Sequence, residues 1–260
     1  MPVVRILSFN TLYNKEPRVR LRALAEVLAA SDYDVVCLQE LLAPQNFQLL
    51  RTLTKNSYPY AAHGARLPLV AGGLLTLSRI PIIGHRYRML AGRHPWRREM
   101  VIRKGVLVTR FAADGEFFTV ANTHLSANRH ADWSQAAPFT RVQRGELARL
   151  AAELRRIDSG EPVVAVGDFN VPRDSWLFEG FVADSGLHDA FDGDAATTYR
   201  PVPGWDGAAL DQVLVTPGTP VRAEVVLKDK VKMADGQERY LSDHYGVAAS
   251  VGRPFGGHRG

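Results

Sequence analysis

Several strand-length runs in this chain are apolar at consecutive positions, and that pattern narrows the possible folds more than any other feature. In 35-VVCLQ-39, 105-GVLVTRF-111 and 163-VVAVGD-168, an extended backbone would send hydrophobic side chains to both faces. A strand with one face in water alternates; these do not, so each needs cover on both sides. Further strands are expected at 3–9, 73–78, 117–123, 209–215, 221–227 and 245–251, most of them bounded by Gly, Pro, Asp or Asn. Two helices stand out. Leu21, Leu24, Ala25 and Leu28 repeat at helical spacing in 18–31, and Leu147, Leu150, Ala151 and Leu154 do so in 142–157. Sheets packed together with helices outside are therefore expected.

No fixed-period repeat, low-complexity segment or dividing linker interrupts the 260 residues, so residues 1–252 are read as one domain followed by a flexible tail at 253–260. The stretch 192–207 reads as a Pro/Gly-rich surface loop. The chain carries 32 Lys+Arg against 27 Asp+Glu, a net charge of +5 that suits anionic substrates without requiring nucleic acid. Cys37 is the only cysteine, which excludes an intrachain disulfide and a thiolate zinc cluster; a packed core thiol is expected. There is no export-type leader and no apolar run long enough to span a bilayer, so a soluble, cytoplasmic protein is expected.

The strands end in an unusual way. The first closes on Asn10, the second on Glu40, the fifth on His124 and the sixth on Asp168 and Asn170, while Ser242, Asp243 and His244 precede the last. One such terminus is ordinary turn chemistry. Together, an amide, carboxylates and two histidines can hold a hard divalent cation, bind phosphate oxygens and move protons near neutral pH.

The ordered series 8-SFNTL-12, 38-LQE-40, 73-GLLTLSRIPI-82, 122-NTHL-125, 167-GDFN-170, 210-LDQVLV-215 and 242-SDH-244 resembles the endonuclease/exonuclease/phosphatase superfamily, which includes deoxyribonuclease I and neutral sphingomyelinases. The resemblance implies a deoxyribonuclease I-like α/β fold, a four-layer sandwich of two packed mixed sheets flanked by helices. It implies Glu40 as the principal Mg²⁺ ligand, helped by Asn10, directly or through water, and by Asp243; Mn²⁺ or another divalent cation could substitute. It further implies that Asp211 orients His244 as a general base and that His124 stabilises the transition state or protonates the leaving oxygen. Asp168 and Asn170 would orient water or phosphate. For Asp211 a structural salt bridge is the competing reading.

Within the superfamily, 102-IRKGVLV-108 with 122-NTHLSAN-128 and 167-GDFNVPRDS-175 is most similar to the sphingomyelinase-like branch, which places Lys104 near a substrate phosphate; a solvated strand-edge lysine is the alternative. The basic segment 93–104 could face a membrane, DNA or water, and Trp133 and Phe139 could shape a pocket or simply pack. His63, His85, His94, His130, His188 and His258 are expected at the surface. The expected activity is metal-dependent hydrolysis of a phosphodiester, a lipid headgroup or small molecule. A nuclease, a phosphomonoesterase on a small soluble ester and a non-catalytic binding module remain as alternatives. No GxSxG, HExxH, GxxxxGK[ST] or GxGxxG motif offers another chemistry.

Overall fold

A computed structural model describes residues 3–66, 68–90, 102–113, 115–157 and 160–252. Most of the basic segment 93–104, His94, His258 and the 253–260 tail lie outside the described residues. The architecture is the expected four-layer α/β sandwich. One six-stranded sheet has the order β11 (Val221–Val226), β14 (Gly246–Gly252), β1 (Val3–Asn10), β2 (Val35–Gln39), β4 (Leu75–Ser78), β3 (Tyr60–His63). The second runs β5 (Ile82–Met89), β6 (Gly105–Ala113), β7 (Glu116–His124), β8 (Val163–Asp168), β10 (Asp211–Val215), β9 (His188–Asp189). A small hairpin pairs β12 (Val231–Lys232) with β13 (Glu238–Arg239).

Helices α1 (Pro17–Ala30) and α2 (Pro44–Thr54) cover the outer face of the first sheet, where Leu21, Leu24, Leu28, Phe47 and Leu50 pack against Leu7, Phe9, Val36 and Leu38. Helices α3 (Pro138–Leu154) and α4 (Trp176–Ser185) do the same for the second, with Leu147, Leu150, Leu154, Phe178 and Phe181 over Val106, Ala121 and Ala165. Three of the four begin with Pro, which has no N–H to leave unpaired in the first turn and a φ already set for a helix. The fourth is capped by Ser175, whose Oγ accepts from Phe178 N, and ends at Gly186 with φ 70°. Among the described residues no helix is long and apolar enough to cross a membrane.

Between the sheets the side chains change character along each strand. Val4 and Ile6, Val35 and Cys37, Val120, Val164 and Val166, and Val213 and Val215 form the apolar part of this layer. Continuing each row by two residues gives Ser8 and Asn10, Gln39, Asn122 and His124, Asp168, and Asp211, all buried. One end of the interface is dry and the other polar. A fully buried aliphatic side chain contributes about 1.5–3 kcal/mol, so adhesion between the sheets comes from the dry end. Where the two halves meet, Gln39 Nε2 donates to Ser8 Oγ at 3.0 Å and to Asn122 Oδ1 at 2.9 Å, joining the sheets, while Gln39 Oε1 is buried without a hydrogen-bond partner.

Gly167 lets β8 reach the polar end beside β7. Its φ is 144°, and a Cβ there would lie 2.0 Å from the Thr123 carbonyl oxygen. Gly167→Ala should therefore lose more than about 3 kcal/mol in urea unfolding, because neither the backbone conformation nor the neighbouring strand can accept a methyl group. A loss below about 1 kcal/mol would show that the two strands can separate cheaply.

Candidate active site

Strand register assembles the polar end. His124 of β7 is paired with Asp168 of β8, and Asp168 with Asp211 of β10, so these three form one row across neighbouring strands. From the opposite sheet, Asn10 Nδ2 reaches over to Asp168 Oδ2 at 2.9 Å, while Asn10 Oδ1 accepts from Leu12 N. Asp168 Oδ1 accepts from Asn170 N at 2.9 Å, and its Oδ2 lies 3.3 Å from His124 Nε2 and 3.8 Å from His244 Nε2. Burial alone would raise this carboxyl. The positive groups His244, His124 and Lys104 outweigh it and hold Asp168 far below the usual carboxylate range, ionised.

His124 Nε2 is also in close contact with Lys104 Nζ and lies 3.9 Å from Glu40 Oε1. Nε2 cannot at once accept from Lys104 and donate to Asp168, so it engages one of the two at a time. Lys104 is 6% exposed and donates to Leu125 O at 3.0 Å, which excludes the solvated strand-edge reading. Asn170, with φ 53°, donates its side-chain amide to the same Leu125 carbonyl, while Trp133 and Gln143 hold its own carbonyl.

His244 is held on two sides. Nδ1 is 2.9 Å from Asp211 Oδ2, and the Tyr199 ring packs edge-on against the imidazole at 4.9 Å. No arginine or lysine pairs with the Asp211 carboxylate among the described residues; Arg173 donates instead to its backbone carbonyl. Asp211 thus makes its ion pair with His244 itself. Burial alone would lower His244, yet Asp211 and then Asp168 outweigh it and raise the imidazole to about 10. The Tyr199 hydroxyl, raised to about 12 by burial and by Asp243, stays protonated and donates to Asp243 Oδ2 at 3.2 Å.

Glu40 sits at the other side of the cluster. Its backbone has φ 63°, and the turn beneath it needs Gly73, where a Cβ would meet Glu40 Cα and Leu41 N at 3.0 Å. Glu40 Oε2 accepts from Tyr13 N at 2.9 Å. On donor chemistry the site fits a hard divalent cation: Glu40, Asp168 and Asp243 all act on the Tyr199 hydroxyl, and this excess of carboxylate oxygen is the ligand type Mg²⁺ takes. Asp168, Asp211 and His244 also offer three atoms within 4.8 Å of one another, but His244 Nδ1 and Asp211 Oδ2 already engage each other.

The candidate site residues Asn10, Glu40, Lys104, His124, Asp168, Asn170, Asp211, Asp243 and His244 come together at this end of the sandwich. Trp133 packs partly into the core beneath α3 and α4, and Phe139 lies against His130. His85, His130 and His188 are exposed as expected, whereas His63 is half-buried. Four supporting residues were not foreseen. Arg20 fastens the loop after β1 to the segment before Ser242 by donating to the carbonyls of Thr11 and Leu241. Arg173 and Tyr199 brace Asp211 and His244, and buried Glu146 accepts from both Ser126 N and Ser126 Oγ just after His124. Only long-range contact reveals these; no local spacing marks them.

The raised His244 has a consequence for stability without metal. Between its ordinary value of 6.5 and about 10, the folded protein binds a proton that the unfolded chain has lost, so stability should be full below the first value and fall as pH rises toward the second. In chelator, the melting temperature of the wild type should decline over that window and His244→Gln should remove most of the slope. An equal slope in the variant would contradict the assignment.

The model of the endonuclease/exonuclease/phosphatase family matches residues 7–244. Among curated relatives, the inositol phosphosphingolipids phospholipase C of Schizosaccharomyces pombe is 33% identical over 183 residues, covering 65% of this chain and 42% of that protein. Sphingomyelinase C from Streptomyces griseocarneus shares the fold at a TM-score of 0.72 and 23% identity, covering 97% of this chain and 100% of that one. A beta toxin variant from Staphylococcus aureus, solved with bound magnesium ions, gives 0.76 at 17% identity, covering 96% and 99%. The chain spans about half the length of the curated relatives it matches. With the family match running from β1 through the SDH motif, the chain belongs to the endonuclease/exonuclease/phosphatase family.

Proposed function

We propose that the protein is a Mg²⁺-dependent phosphodiesterase that cleaves a sphingolipid-type diester in the manner of a phospholipase C, releasing the phosphorylated headgroup. The observation that carries this reading is the registered row His124–Asp168–Asp211, faced by Asn10 from the other sheet and flanked by Glu40 and His244. The choice of lipid rests on the relatives, which include a phospholipase C acting on inositol phosphosphingolipids and a sphingomyelin phosphodiesterase.

In this reading Glu40, with Asn10 and Asp243, would hold the cation. When bound, it supplies positive charge to phosphate oxygens and offsets the negative field that keeps His244 protonated. Ionised Asp168 orients the attacking water by accepting one of its protons in a hydrogen bond. His244, aligned by Asp211, takes the proton as the water oxygen bonds to phosphorus. Lys104 and Asn170 hold phosphate oxygens as charge develops on them. The bond from phosphorus to the lipid oxygen breaks in line, and His124 gives that oxygen a proton. A dry apolar layer behind the row limits water to the open side, which strengthens each of these interactions.

Turnover on sphingomyelin and phosphatidylcholine micelles, beside plasmid and abasic-site DNA, tests the proposal. The expected result is release of phosphocholine that stops on chelation and is restored by Mg²⁺. Asp168→Ala and His244→Ala should each lower it by about 10³-fold or more while circular dichroism shows a folded chain. Nicked DNA without lipid cleavage, or variants as active as the wild type, would overturn it.

A further inference from the structure

Away from the catalytic row, a groove of about 610 Å³ opens between the C-terminal half of α2 and the edge strands β3 and β5. Its rim carries Arg51, Lys55, Arg66, His63 and His85 around the ring of Phe47, and among the described residues no Asp or Glu lines it. None of the catalytic residues borders it either. Ile82, at its lower end, is in register with Phe111 and through it with Phe118, six residues back along β7 from His124.

Exposed arginines and lysines are common, and several in this chain have carboxylate partners. In the neighbouring hollow on the outer side of β5, Arg86 pairs with Glu153 and Arg110 with Glu161. The groove lacks that compensation. His63 sits among them: burial pushes its imidazole down, the Gly64 carbonyl opposes this, and the charges of Arg66, His85 and Arg51 add to the lowering. Arg66 stacks 5.6 Å over Phe47, and the same ring meets His63 edge-on at 4.9 Å, so the cations are held in place over an aromatic floor. Arg51 has a structural duty, donating to Tyr58 O at 2.9 Å, and it complements the C-terminal dipole of α2. Lys55, His85 and Arg66 have no such explanation. Gathering like charges in a concave site is unfavourable without an anion to offset them.

We propose that this groove is a second binding site, for a phosphate-bearing anion, with Lys55 and Arg66 as its principal charged contacts. Phosphate suits it because the guanidinium and ammonium groups converge over a concave surface that can accept an oxyanion from several directions. The shared chemistry could be presented by a free phosphate compound or by an anionic lipid headgroup. The proposal does not depend on which diester the catalytic row cleaves.

The test compares the wild type with Lys55→Glu/Arg66→Glu. Inorganic pyrophosphate would be titrated in chelator while backbone amide shifts are followed by NMR, and sedimentation would be measured with vesicles of phosphatidylcholine alone and with about 30% phosphatidylserine. Amide shifts at residues 47–66 and 82–85, weakened about tenfold or more in the double variant while any shifts at the row around Asp168 are unchanged, would establish a soluble phosphate ligand. Sedimentation only with the anionic vesicles, lost in the variant, would establish a lipid headgroup. Absence of groove shifts together with equal vesicle binding by the two proteins would overturn the proposal. Hydrolysis of a soluble diester should stay within about twofold of wild type in the variant. If charge reversal unfolds the chain, Lys55→Gln/Arg66→Gln gives the same comparison, and the wild-type shifts decide on their own.

Discussion

The carboxylate of Asp168 is 1% exposed, and the rest of the molecule is arranged around keeping it charged. An unpaired buried carboxylate costs several kcal/mol, more than most single contacts contribute. Its partners come from five places in the chain: the Asn10 amide, Lys104, His124, the Asn170 N–H and His244. Bringing them together requires both sheets, in a register that leaves their inner faces polar at one end. The apolar end supplies the adhesion that the polar end gives up.

Much of this was legible in the sequence, for physical reasons. Non-alternating runs such as VVAVG announce strands covered on both faces, and they are strands with β8 at the expected limits. Polar residues closing several such strands pointed to convergence at one end. What stayed hidden depended on pairing. That Asn10 and Gln39 line the inner face of one sheet, and Asn122, His124, Asp168 and Asp211 that of the other, follows from period-two alternation, yet which of them meet is set by register, which no single strand encodes. Helix α2 escaped notice because its buried side is only Asn46, Phe47, Leu50 and Thr54, and α4 because its sequence is largely apolar with a glycine inside. Strand β5 was obscured by exposed His85, Arg86 and Arg88, charges expected on an edge strand that pairs on one side only.

The mild basic excess has a different meaning in the folded protein than in the composition. Arg20, Arg173 and Arg200 spend their guanidinium groups on backbone carbonyls, and Arg200 is sandwiched between Tyr240 and Tyr245 at 3.7 and 4.3 Å. They fasten the loops that carry Asn10, Asp211 and His244, and they are not available to attract a substrate. Positive charge acts on the buried row through His244, His124 and Lys104, and collects at the surface in the groove beside α2.

In the proposed mechanism the polar end divides into a metal side at Glu40 and a proton-transfer side at Asp211 and His244, with Asp168 between them. Anomalous diffraction from crystals grown with Mn²⁺ tests that division most directly. The predicted result is a peak at bonding distance, about 2.2 Å, from the Glu40 carboxylate, with the hydrogen bond from His244 Nδ1 to Asp211 intact. A peak coordinated by Asp211 and His244, with Glu40 unengaged, would contradict it.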